Sequence, residues 1–209
     1  MDTFKEYFAD YEVVEKSLSP EFNRDQVFKA GEGAGRSGSF FFLSHDHKFM
    51  IKTIRKGELQ LLLQMMPSLA RHYKENPDSL IVKTFGAFTV KTDSVCEVHL
   101  VLMEYALQLK NPDGLQYIFD LKGSLVDRKT KGKIKSTTTL KDVNFLMAVK
   151  ANPDFVSLGQ RTRKKLLRVI NADVDFLSGL GLMDYSVLLG IENLGNKLQE
   201  EIDKIEEED

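Results

Sequence analysis

The stretch Gly33-Ala34-Gly35-Arg36-Ser37-Gly38 runs directly into Ser39-Phe40-Phe41-Phe42-Leu43 and then, past His45-Asp46-His47, into Met50-Ile51-Lys52-Thr53. It reads as a glycine-rich turn, a strand, a hairpin tip and a second strand, with Lys52 fourteen residues beyond the last glycine. Glycines in G-x-G-x-x-G spacing also serve dinucleotide-binding folds, but there the loop opens a helix whose N-terminus holds the pyrophosphate. Here the loop opens an aromatic run of strand character, which places it at the tip of a hairpin. Glycines at such a tip let backbone N–H groups close over phosphates with no Cβ in the way. A lysine on the next strand can then neutralise those phosphates, as in folds that hold ATP for phosphoryl transfer. A plain β-hairpin with a glycine tip is the alternative reading of the same residues.

Composition sets outer limits. The 209 residues are 42% hydrophobic and 29% charged, enough for one large domain or two small lobes with a buried core. A formal net charge of −2 gives no global field toward nucleic acid or anionic membrane, so any such attraction must be local. The single Cys96 excludes an internal disulfide and a cysteine-rich metal site, which fits a reducing cytosol. No apolar run approaches the roughly 18 residues of a membrane span, and the mixed, acidic N-terminus is unlike a signal peptide. The expected location is cytoplasmic.

Periodicity then lays out the chain. Phe4, Tyr7, Phe8, Tyr11 and Val14 suggest a helix over 3–17, broken by Ser19-Pro20. Strands are expected near 26–30, 38–44 and 48–54. A helix over 57–75 carries Leu59, Leu62, Leu63, Met66, Leu69 and Tyr73, with Pro67 expected to kink or split it. Strands at 81–89 and 97–104 complete an antiparallel sheet, so residues 18–106 read as one lobe. A Pro/Gly-bearing connector opens the second half, 107–192, followed by a strand and turn over 117–124 and a short capped segment from Thr139 to Met147. The longest amphipathic helix spans 159–179, with Leu166, Ile170, Val174 and Leu177 on one stripe. A loop at 183–186 leads into a buried strand, 187–191, and residues 193–209 form an acidic tail with helical spacing. The fold class is α+β.

Three sets of residues carry candidate chemistry. Lys52 shares a strand face with Met50 and Ile54, where an ammonium is costly unless an anion meets it. Glu58, at the start of the next helix, is a candidate partner; snorkelling to the sheet edge is the alternative. Asp184 lies between a long helix and a buried strand, a junction that can hold a general base for an attacking hydroxyl, although an aspartate bonding its own turn is equally common. Protein kinases place a metal-binding Asn five residues after that base, and here the position is Leu189. Lys122, Arg128, Lys129, Lys131, Lys133 and Lys135 put six basic residues in fourteen, opposed only by Asp127. Such a run is a solvated loop by default, but beside a phosphate-handling site it suits an anionic substrate or the membrane that carries it.

His45 and His47 have chelating spacing but no third ligand nearby, so they are read as a hairpin tip. His72 and His99 have no evident acid–base partner. No serine or cysteine triad and no aromatic–basic pattern for nucleic acid is present.

Together these segments resemble the phosphatidylinositol phosphate kinases. The resemblance rests on Gly35-Arg36-Ser37-Gly38-Ser39-Phe40-Phe41-Phe42 with Met50-Ile51-Lys52-Thr53, on Phe119-Asp120-Leu121-Lys122-Gly123-Ser124-Leu125-Val126-Asp127-Arg128, on Leu140-Lys141-Asp142-Val143-Asn144-Phe145-Leu146, and on Met183-Asp184-Tyr185-Ser186-Val187-Leu188-Leu189-Gly190-Ile191. Their order and spacing agree over about residues 17–192. The resemblance implies a two-lobed relative of protein kinases with shuffled motifs, which accounts for Leu189.

It also implies transfer of the ATP γ-phosphate to an inositol hydroxyl of a phosphoinositide lipid, at the cytosolic face of a membrane. By position, Gly35, Ser37, Gly38 and Ser39 would cover the phosphates and Lys52 would contact them, with Glu58 as its partner. Met103, Glu104 and Tyr105 would meet adenine, and Asp184 would be the catalytic aspartate. Lys122 and Arg128 would face the headgroup phosphate. The family holds Mg²⁺ with the Asp of an I-I-D segment further along, which has no counterpart through Asp209, and animal relatives dimerise through a longer N-terminal portion. The resemblance therefore implies a core cut at both ends, with no candidate metal ligand. A non-catalytic binding module or a subunit of a larger assembly is the competing expectation.

Overall fold

The computed structural model describes residues 11–24, 40–93 and 97–193. The expected strand at 26–30, the glycine loop at 33–39, most of the first helix and the acidic tail lie outside the described residues. The chain divides into two compact units: residues up to Ala106 together with Lys165–Gly181, and Leu107–Lys164 together with Leu182 onward. The architecture is α+β.

In the first unit, α1 (Tyr11–Ser17) is followed by α2 (Pro20–Asn23), with Pro20 in the first turn, where its missing N–H costs nothing. A four-stranded antiparallel sheet follows in the order β1 (Phe41–Leu43), β2 (Phe49–Ile54), β4 (Val98–Glu104), β3 (Thr84–Val90). β2 is central: Lys52 pairs with Phe41 on one side and Val101 on the other. Phe49 on β2 and His99, Val101 and Leu102 on β4 are buried, so β4 buries residues on both faces of the sheet, and Phe49 meets Phe85 edge-to-face at 5.1 Å.

Helix α3 (Lys56–Glu75) runs unbroken for 20 residues, so Pro67 does not split it. Pro67 and Leu63, whose carbonyl would otherwise receive the missing N–H, both have exposed side chains. On that wet face water can take up the freed carbonyl.

His72 does have an acid–base partner, contrary to the expectation from sequence. Its Nε2 lies 2.7 Å from Asp173 Oδ1, across 101 residues. Asp173 also accepts hydrogen bonds from Ser79 Oγ and from the Leu80 N–H, each at 2.7 Å, and Phe176 stacks on the His72 ring at 4.1 Å. Asp173 belongs to α5 (Gln160–Gly179) and is the buried residue of that helix, whereas Val174 of the expected apolar stripe is exposed. Three donors make the burial of this carboxylate tolerable. β3 begins at Thr84 and not at 81: the Ile81 N–H is committed to Ser79 Oγ at 3.2 Å and the Val82 carbonyl accepts from the Tyr73 hydroxyl at 3.0 Å. His99 is likewise partnered, by Thr89 Oγ1 at 2.9 Å and Glu97 Oε1 at 3.3 Å.

The second unit holds a three-stranded sheet in the order β6 (Thr139–Lys141), β5 (Leu115–Leu121), β7 (Val187–Glu192), with β5 parallel to β6 and antiparallel to β7. Its core is Phe119, which has no exposed surface and is met by Tyr117, Phe145 and Phe155 at ring distances of 5.2–6.0 Å. Helix α4 (Asp142–Ala151) starts immediately after β6. Gly181, at φ +70°, closes the chain after α5 in a conformation that favours glycine.

Candidate functional site

β5 ends at Leu121, and the chain turns through Lys122 and Gly123, the latter at φ +71°. A β-branched or bulky residue would be strained there. The turn is held by one carboxylate. Asp142 Oδ1 accepts hydrogen bonds from the N–H groups of Lys122 (3.0 Å) and Gly123 (2.8 Å), and its Oδ2 accepts from Arg128 Nε at 2.8 Å. Arg128 Nη2 also donates to the Asp120 carboxylate at 3.0 Å and to the Asp120 carbonyl. Asn144 closes the same loop, accepting from Thr130 N–H at 2.8 Å and donating to the Thr130 carbonyl at 3.1 Å.

Asp142 is 7% exposed and is the first residue of α4, where the helix dipole favours a negative charge. Burial opposes its ionisation. The Arg128 guanidinium and the backbone N–H groups of Asp142, Gly123 and Lys122 outweigh that and hold its carboxyl below the ordinary range. The Asp142 contact in turn holds the Arg128 guanidinium more firmly protonated, against desolvation, with Asp120 adding to it.

From this turn the Lys122 ammonium donates to Asp184 Oδ1 at 3.2 Å. Asp184 sits at φ +63°, the left-handed region, in the bend between α5 and β7. Its side chain is 90% exposed, while that of Lys122 is 28% exposed. A non-glycine residue in this region costs energy that only surrounding structure can hold in place. The result is a solvent-facing carboxylate with a cation beside one oxygen and the other open: a group able to take a proton from an approaching hydroxyl.

The other expected residues divide in two. Gly35, Ser37, Gly38 and Ser39 lie outside the described residues. Lys52 stands on β2 with its Nζ 5.6 Å from the centroid of the Phe41 ring, within cation–π range, and makes no ion pair among the described residues. The expected Lys52–Glu58 pair is not formed. Glu58 instead caps α3, its Oε2 accepting from the Arg55 N–H at 2.7 Å. Met103, Glu104 and Tyr105 close β4: Glu104 N–H donates to the Lys83 carbonyl and Tyr105 N–H to the Lys48 carbonyl, each at 2.8 Å. Burial pushes the Tyr105 phenol above its ordinary range.

Lys122 and Asp184 are thus brought together, and Arg128 joins them through Asp142. Neither Asp120 nor Asp142 stands out in sequence as a functional residue. Their one signal is a carboxylate inside each of the two motifs that flank the basic loop. His45 and His47 lie at the β1–β2 hairpin tip, where Asp46 accepts from Ser17 Oγ (2.6 Å), Ser44 Oγ (2.8 Å) and Lys48 N–H (3.3 Å).

Comparison with known proteins gives a family model described as phosphatidylinositol-4-phosphate 5-kinase, matching residues 22–209. The chain is 38% identical over 174 residues to a probable phosphatidylinositol phosphate kinase of Dictyostelium discoideum, covering 79% of this chain and 23% of that protein. It is 39% identical over 160 residues to phosphatidylinositol 4-phosphate 5-kinase 7 of Arabidopsis thaliana (75% of this chain, 20% of the relative). It is 34% identical over 194 residues to the phosphatidylinositol 4-phosphate 5-kinase its3 of Schizosaccharomyces pombe (90% and 24%). The chain spans between 18% and 39% of the length of the relatives compared.

Proposed function

We propose that this chain, which belongs to the phosphatidylinositol-4-phosphate 5-kinase family, carries the proton-accepting and headgroup-facing side of a lipid kinase. In the proposed step the oxygen of an inositol-ring hydroxyl attacks the γ-phosphorus of ATP. The bond from that phosphorus to the β–γ bridging oxygen breaks, and ADP leaves with the electron pair. The hydroxyl proton passes to Asp184. The observation that supports this reading is the Lys122–Asp184 contact, which joins two of the segments that carry the family resemblance at an exposed carboxylate.

Other roles follow from the chemistry of the side chains. Lys52 has no carboxylate partner among the described residues, so its charge is free for a phosphate of ATP. Gly35, Ser37, Gly38 and Ser39 are assigned to the same phosphates, and Met103–Tyr105 to adenine, on the resemblance of their segments. Glu58 is assigned to support of α3, which its capping bond favours over direct pairing with Lys52. Lys122 is assigned to the headgroup phosphate. Arg128 has Nε and Nη2 committed to Asp142 and Asp120, which leaves Nη1 for the lipid.

Mg²⁺ belongs to the implied chemistry, but no group of three or more His, Cys, Asp or Glu among the described residues is placed to hold a metal ion. The described residues do not make that site. No helix among the described residues is long and apolar enough to cross a membrane. We place the protein peripherally, with the exposed Lys129, Lys131, Lys133 and Lys135 toward anionic lipid.

The test is incubation of the purified chain with γ-labelled MgATP and vesicles containing phosphatidylinositol 4-phosphate. Label in a more highly phosphorylated lipid supports the reading. Vesicle binding without transfer favours a non-catalytic phosphoinositide-binding module.

A further inference from the structure

Asp142 directs three of its contacts at one short loop, and none of them is required to form α4. The two N–H groups it accepts belong to Lys122 and Gly123, and the guanidinium it accepts belongs to Arg128, fourteen residues earlier. Arg128 then reaches back to Asp120, the last residue but one of β5. The backbone of Lys122 is therefore clamped between the end of β5 and the start of α4. Beyond the backbone its side chain is a flexible four-carbon stem, and the direction in which that stem leaves the turn decides where the ammonium goes.

We propose that Asp142 is a positioning residue: by fixing the Lys122-Gly123 turn it aims the Lys122 ammonium at Asp184. This rests on the reading of Lys122 and Asp184 as site residues. Asp142 touches neither substrate in this scheme and acts through Lys122. Its burial separates it from solvent-facing groups, and its low-range carboxyl is consistent with a permanent anion at the base of the loop. Asparagine at this position would keep the shape and the acceptor for the two N–H groups, but would turn an amide donor toward the Arg128 Nε donor.

A spectroscopic cycle tests the claim without relying on activity. The full chain is labelled with ¹⁵N-lysine and the Lys122 Nζ resonance is assigned by its loss in Lys122→Arg. Asp184→Asn is expected to shift that resonance in the otherwise unaltered chain. In an Asp142→Asn background the same substitution should produce at most a third of that shift, and Asp142→Glu should restore part of it. An equal shift in both backgrounds overturns the proposal. Should Asp142→Asn not fold, Arg128→Lys, which removes the Nε donor and keeps the charge, is read for the same two outcomes.

Kinetics add a second cycle. Asp142→Asn should raise KM for phosphoinositide at least tenfold with KM for ATP unchanged, and should add nothing further in a Lys122→Met background. Additive losses would mean a general structural role and overturn the proposal. A parent chain that transfers no phosphate defeats the lipid-kinase reading, and the spectroscopic cycle then decides the positioning claim alone.

Discussion

The Lys122 ammonium stands 3.2 Å from Oδ1 of Asp184, although 62 residues separate them in the chain. An ion pair whose carboxylate is 90% exposed adds little to stability, because water screens it and two side chains must be ordered to make it. Under the proposed function the pair serves the candidate site. Lys122→Met should leave the urea unfolding midpoint close to that of the parent chain while lowering phosphate transfer by about a hundredfold, of the order seen when one charge-stabilising donor is removed. A large loss of stability with unchanged transfer per folded molecule would contradict this.

Lys52 has a different environment. Its charge rests over Phe41 and has no carboxylate partner among the described residues. Lys52→Met should weaken binding of a fluorescent ATP analogue about tenfold or more, the loss of one charge-assisted contact of roughly 1.5–3 kcal/mol. The thermal midpoint should change little, because the methionine stem can cover the same ring. Unchanged nucleotide affinity would remove Lys52 from the phosphate site.

The buried contact between His72 and Asp173 does the opposite kind of work. Asp173→Ala strands three groups at once: the Leu80 N–H, the Ser79 hydroxyl and His72 Nε2. The expected loss is about 3–5 kcal/mol in chemical unfolding, a large part of the 5–15 kcal/mol of an ordinary domain. A loss below about 1 kcal/mol would show that the network is not a principal tie of the first unit.

Acid should reveal the hairpin tip. Burial alone would raise the Asp46 carboxyl, but hydrogen bonds from Ser17, Ser44 and the Lys48 N–H, with the Lys48 charge, bring it from 3.8 down to about 2. A folded-state value below the unfolded one gives stability that is present above pH 3.8 and lost as pH falls toward 2. The Asp46 side chain is 23% exposed, so the contribution is discounted for screening to about 1–2 kcal/mol. The difference in unfolding free energy between the parent chain and Asp46→Asn should hold from neutral pH to about pH 5 and shrink below it. A gap that stays constant through the acid range would contradict the assignment.

Local physics was legible in the sequence and long-range contacts were not. The apolar run Phe49–Ile54 and the three- and four-residue spacing of Leu59, Leu62, Met66, Leu69 and Tyr73 gave β2 and α3 almost to their ends. The stripe on α5 was misplaced because hydrophobicity cannot rank Asp173 as buried; only three donors from α3 and the loop after it make that so. β6 was missed because a three-residue strand exists only through its parallel pairing with β5. In the site, Lys122 and Asp184 were readable from their motifs. Their contact, and the clamp that Asp142 places under Lys122, depend on a turn with Gly123 at positive φ that no periodicity encodes. The Glu58 expectation failed for a local reason: three residues after Arg55 it reaches its own helix cap more readily than Lys52 on the preceding strand.

The most direct test of the account is phosphate transfer by Asp184→Asn. The substitution keeps size and polarity and removes the proton acceptor. Measured against the parent chain with γ-labelled MgATP and phosphatidylinositol 4-phosphate vesicles, it should lower kcat by about 10²–10⁴-fold, the usual contribution of a general base, while vesicle binding and unfolding midpoint stay near those of the parent. Transfer by Asp184→Asn at the parent rate would contradict the central claim that Asp184 is the catalytic carboxylate of this chain.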